Sequence, residues 1–164
     1  MVIKKFYIAI LIITCFWACK TEKEEIKADQ SSVFVGKYHG ILAHGDSQFP
    51  SLTQDSWEVE VSRLNENEVS LDIQTQLQQR SDVLSPFINT GSSNSQNFNL
   101  GKITPTRSFE IKEIKETTFQ GEKRNTDVSI TGRLRETGVL VLEVKYDYLN
   151  GEGVRFFTVL LNKK

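Results

Sequence analysis

The chain has 164 residues, a formal net charge of -1 and a sequence pI near 6.2. That length suits one domain with a single core, and the near-neutral charge argues against a nucleic-acid partner, which would need a basic excess. Hydrophobic residues make up 38% of the chain, a share that includes an apolar N-terminal run, so the rest is polar and fits a thin, two-faced architecture.

The N-terminus reads as an address. Met1 to Lys5 carries two lysines, Phe6 to Trp17 is almost unbroken apolar sequence, and Ala18-Cys19 places a small residue before a cysteine. This is the pattern of a secretory signal. The run is about a dozen residues, roughly 18 Å as a helix against a hydrocarbon core of about 30 Å, too short to span a membrane. The segment Phe16-Trp17-Ala18-Cys19 resembles a bacterial lipobox, although Phe16 stands where that signal has an aliphatic residue. The resemblance implies diacylglyceryl transfer to the Cys19 thiol, cleavage after Ala18 and acylation, palmitate included, of the new amino terminus. Two or three acyl chains make a stable anchor. An ordinary secretory signal cut nearby is the alternative, and Cys15, after Thr14, is a competing site. No cysteine follows Cys19, so no disulfide can brace the exported domain.

Lys20 stands where Asp would retain an enteric lipoprotein at the inner membrane, which by resemblance implies the outer membrane. Lys23-Glu24-Glu25 resembles the surface-export signal of Bacteroidota lipoproteins; a solvated tether explains it as well. The expected division is a signal over 1–18, a lipidated flexible tether over 19–32 and a domain over 33–164, located in the bacterial cell envelope and surface-exposed if the export signal is real.

From Val33 onward, alternation with frequent turn signals predicts strands. The first runs from Phe34 to Ala43. A hairpin with a three-residue loop Asn65-Glu66-Asn67 pairs Val61 with Leu71, Val59 with Ile73 and Trp57 with Thr75, turning Glu58, Glu60 and Asp72 outward. Arg80 to Thr106, with Pro86, Pro105 and the polar run Asn89 to Asn99, reads as a long loop flanked by two short strands. Another strand spans Ser108 to Phe119. A loop Glu136-Thr137-Gly138, with Gly138 left-handed, pairs Leu134 with Leu140, Gly132 with Leu142, Ile130 with Val144 and Val128 with Tyr146. A type I′ turn at Asn150-Gly151 then pairs Leu149 with Glu152, Tyr146 with Arg155, Val144 with Phe157, Leu142 with Val159 and Leu140 with Leu161. Both hairpins choose one face of their shared strand. The expected fold is all-β, an antiparallel up-and-down β-barrel of about eight strands whose closure removes exposed edges.

Chemistry-bearing patterns are few. His39 and His44 face opposite sides of a regular strand and cannot easily share a metal. No serine sits in a nucleophile elbow, and no phosphate loop appears. Glu58 and Glu60 share a solvent face. No catalytic residue, metal or cofactor is expected, and the chain reads as a non-enzyme and a monomer. Val141, Phe156 and Leu160 form an outer apolar stripe on the last hairpin; either the Arg80 to Thr106 segment covers it or a protein partner does.

Val35-Gly36-Lys37-Tyr38-His39-Gly40-Ile41-Leu42 and the closing hairpins resemble small calycin-like barrel lipoproteins of the Bacteroidota, and echo lipocalins, in which a first-strand Gly-x-Trp packs against a last-strand Arg. Here Tyr38 replaces that Trp. The resemblance implies a small apolar or lipid-like ligand in the lumen, with Tyr38, Trp57, Tyr146, Arg155 and Phe157 as candidate contacts and Arg155 closing one end over Tyr38 or Tyr146 by a cation–π or hydroxyl contact. The alternative is a protein-interaction or inhibitor module at the envelope, for which Asn89 to Asn99 would be the protruding loop. A lumen of about 300 Å³ or more favours the first, a solid core the second.

Overall fold

The structure is a computed structural model that describes residues 29–44, 52–119, 122–149 and 153–164. The signal, Cys19 and most of the expected tether therefore lie outside the described residues, as does the Asn150-Gly151 turn. Eight strands follow one another: β1 (Gly36–His44), β2 (Thr53–Asn65), β3 (Glu68–Gln79), β4 (Ile88–Thr104), β5 (Ser108–Phe119), β6 (Glu122–Leu134), β7 (Leu140–Tyr148) and β8 (Gly153–Lys163). Each pairs antiparallel with the next, and β8 returns to β1, closing an up-and-down barrel.

The expected registers hold wherever alternation is strict. Val61, Val59 and Trp57 face Leu71, Ile73 and Thr75. Val128, Ile130, Gly132 and Leu134 face Tyr146, Val144, Leu142 and Leu140, which on the other side meet Arg155, Phe157, Val159 and Leu161. Gly138 closes its three-residue loop at φ 81°, a left-handed conformation that costs a residue with a Cβ about 1–2 kcal/mol. The β2–β3 connection differs: Asn65 pairs with Glu68 across a two-residue turn, and the register slips between Arg63 and Asn65. A bulge takes up the extra residue, so the pairs beyond it match those of a three-residue loop.

The larger correction is β4. The segment expected as a long loop with short flanks is a 17-residue strand, Ile88–Thr104, laid along β3. Two irregularities hide it. Five residues from Asn89 to Ser93 are set against three from Gln76 to Gln78, with Gly91 at φ 86°, and a second slip falls at Leu100, held at φ 61°. Each breaks the period of two that marks a strand. Asn89 to Asn99 is thus barrel wall, not a protruding loop.

The wall is complete at one end only. β1 and β8 share Tyr38 with Lys163 and His39 with Asn162, and β4 and β5 share three pairs, Lys102 to Thr104 with Glu110 to Ser108. Beyond these, no ladder joins β1 to β8 or β4 to β5 among the described residues, so two four-stranded sheets face each other. At the closed end the space between them is solid. Phe34, Tyr38, Phe98, Phe109, Leu71 and Leu142 are fully buried there, and Phe34 meets Phe109 edge to face at 5.3 Å.

The first strand begins two residues later than expected, because Phe34 is a plug and not a strand residue. Ser31 O accepts from Phe34 N at 3.0 Å, and Tyr38 donates its hydroxyl to Phe34 O at 2.7 Å. Burying that ring contributes roughly 1.5–3 kcal/mol. Asp29 caps the same turn through Ser31, pairs with Arg63 at 3.3 Å, and brings residues 29–32, expected in the tether, into the domain.

Candidate functional site

At the other end the core thins into a cavity of about 170 Å³ between the two sheets. Its floor is aromatic because Trp57, Tyr146 and Phe157 are the inward residues of β2, β7 and β8 just above the solid core. Phe157 stands 6.4 Å from Trp57 and 6.0 Å, nearly perpendicular, from Tyr146. Such offset arrangements put the positive edge of one ring on the negative face of the next. Trp57 is only 4% exposed, and its indole nitrogen has no hydrogen-bond partner. A buried N–H without an acceptor costs about 1–3 kcal/mol.

The rim is polar. Thr75 from β3, Asn94 and Gln96 from β4, and Thr117 from β5 line it, with Asp55 and Arg155 nearer the mouth. Gln96 Oε1 accepts the Tyr146 hydroxyl at 3.0 Å, leaving the amide nitrogen to donate. Burial, reinforced by Tyr148, pushes the Tyr146 phenol up to about 12, so it is a neutral donor at any ordinary pH. Asp55 faces His44 at 2.8 Å, and Thr117 shares a 2.6 Å bond with Thr126. An occupant without polar groups would strip water from Asn94, Gln96 and Thr75 at about 1–3 kcal/mol for each group left unmatched. Burying one ring-sized apolar group returns roughly 1.5–3 kcal/mol. Two unmatched groups cancel the gain.

Where no ladder joins β4 to β5, side chains cover the seam beside the cavity. Glu113 accepts from Asn99 N at 2.8 Å, while Lys115 donates to Asn97 O and holds its ammonium 4.1 Å over the Phe98 ring. A groove of about 380 Å³ also lies outside β2–β4, but Glu58, Gln74, Gln76 and Asn89 line it without an aromatic platform.

No protein-family model and no curated protein matches the chain.

The structure brings four of the five expected barrel contacts together: Trp57, Tyr146, Arg155 and Phe157 all line the cavity. Tyr38 is elsewhere. It is fully buried at the closed end, and the cation near its ring is Lys163, 5.8 Å from the centroid and bonded to Val35 O at 2.8 Å. Arg155 lies about 26 Å back along β8 from Lys163 at 3.3 Å per residue, so it cannot close the barrel over Tyr38; it sits opposite Tyr146. Sequence reasoning missed Asp55, Thr75, Tyr148, Asn94, Gln96 and Thr117. Thr75 already stands opposite Trp57 in the expected hairpin, and Asp55 and Tyr148 follow by continuing the known registers one step toward the mouth. Asn94 and Gln96 lie between the two irregularities of β4 and carry no such signal.

His39 and His44 face opposite sides, as alternation expects. Of the outer stripe, Val141 is nearly buried, but Phe156 is 72% and Leu160 50% exposed, so β4 does not cover them.

Proposed function

We propose that the chain is a membrane-anchored lipoprotein of the cell envelope, acylated on Cys19, non-enzymatic, which holds a small ligand in the mouth of its barrel. The cavity carries this reading: a half-open space with an aromatic floor and convergent amide, hydroxyl and charged groups is the usual anatomy of a small-molecule site. Its 170 Å³ is well below the roughly 300 Å³ of a site that engulfs a drug-sized ligand. The ligand is therefore gripped by one end, with its apolar face on Phe157 and Tyr146 and its remainder outside. This narrows the lipid-like ligand implied by the calycin resemblance to one whose bound group also has polar edges.

Native mass spectrometry of the protein taken from its own host tests the reading. A co-purifying small molecule is expected, and a co-purifying protein would transfer support to the rival, an interaction or inhibitor module. That rival rests on the exposure of Phe156 and Leu160. The anchor has its own test: Cys19→Ser should accumulate an uncleaved precursor without lipid, and normal acylation of that variant would remove Cys19 from the proposal.

A further inference from the structure

The mixed chemistry of the cavity restricts its ligand further than size does. About 170 Å³ is close to the roughly 150 Å³ engineered cavity that accepts benzene, so one six-membered ring fits. The floor asks that ring for a flat apolar face. Gln96, Asn94 and Thr75 ask its edge for donors and acceptors in several directions. A benzene ring or an alkyl chain answers the floor and leaves the rim unmatched. A phosphate or carboxylate alone answers the rim and leaves the aromatic platform unused.

We infer that the cavity binds a single pyranose ring, a free sugar or the terminal residue of a glycan, with its C–H face stacked on Phe157 and Tyr146 and its hydroxyls bonded to Gln96, Asn94 and Thr75. The inference rests on the small-ligand reading above and names the class of ligand. Hydroxyls act as both donor and acceptor, which suits a rim holding an amide oxygen and nitrogen on Asn94, a free amide nitrogen on Gln96 and a threonine hydroxyl. The part of a glycan beyond the first ring leaves through the mouth, past Asp55 and Arg155.

Trp57 is the only tryptophan after position 17, so its emission reports on the cavity in the chain from residue 19 onward, produced without the signal and hence without lipid. The chain is titrated with the methyl glycosides of glucose, galactose, mannose and N-acetylglucosamine, and separately with laurate. At least one glycoside should give a saturable change in emission. Phe157→Leu, which keeps an apolar side chain but removes the ring face, and Gln96→Leu should each weaken it about tenfold or more, with the far-ultraviolet dichroism of the barrel retained. Saturable binding of laurate with all four glycosides silent overturns the pyranose inference and leaves the small-ligand reading standing. Silence of all five probes overturns both. Glycoside binding that neither substitution weakens places the sugar outside this cavity and also overturns the inference.

Discussion

Tyr146 sits where the solid core gives way to the cavity, and the burial that raises its phenol to about 12 makes stability depend on alkaline pH. In the unfolded chain a tyrosine ionises near 10. Above that value the unfolded state has lost a proton that the folded state keeps, so the contribution is complete below about pH 10 and is lost as pH rises through about 12. Over that window the loss is on the order of 2 kcal/mol. Urea midpoints measured from pH 9 to pH 12 should fall, and Tyr146→Phe should flatten part of the fall while lowering the pH 7 midpoint slightly through loss of the Gln96 bond. A variant with the full alkaline slope would place the titration elsewhere. Tyr38, its pKa also raised by burial, and Lys123, raised by its hydrogen bond to Glu116, contribute to the slope that remains.

Between strands, the closed end depends on places where a missing side chain lets neighbours approach. Gly132 on β6 pairs with Phe109 on β5, and the Phe109 ring occupies the space a Cβ on Gly132 would need. Gly40 on β1 likewise lies against the Leu160 backbone of β8, where barrel closure begins. Gly132→Ala should cost about 1–3 kcal/mol or slightly more by overpacking. Phe109→Leu should cost a similar amount through lost volume, yet the double variant should be more stable than the sum of the two predicts, because the smaller leucine vacates the clash. Thermal or urea unfolding of the four proteins measures this coupling, and strict additivity would mean that the ring moves aside at no cost. The glycine was legible as a gap in an alternating strand, but its partner was not, because the turn signal between β5 and β6 is Gly121 alone, which does not by itself choose between a two-residue and a longer loop. β2, β3, β6, β7 and β8 were legible because strict alternation and recognisable turns agree. β4 was not, because bulges at Gly91 and Leu100 interrupt its period and its inward residues at the cavity, Asn94 and Gln96, are polar. The interruption falls on the strand that supplies two of the rim's hydrogen-bonding groups, which is where local rules are expected to fail.

At the scale of the whole molecule, the described chain begins at the end opposite the proposed binding site. The described chain enters at the closed end, where Asp29 pairs with Arg63 and the Glu66 carbonyl accepts from the backbone of residues 30 and 31. From Arg63 to the rim at Thr53, β2 covers roughly 33 Å at 3.3 Å per residue, or about 25 Å along the barrel axis at a strand tilt near 40°. Residues 20–28 reach at most about 30 Å even when straight. To bring the mouth to the bilayer, that segment would have to run nearly extended back along the barrel wall, at a large cost in conformational entropy. The mouth should instead face away from the anchoring membrane and sample solutes or glycans beyond it. With the acylated protein in vesicles containing brominated lipids, Trp57 emission should match that in unbrominated vesicles. Strong quenching would put the mouth at the bilayer, and the bound group would then be sought among the lipids of the anchoring membrane.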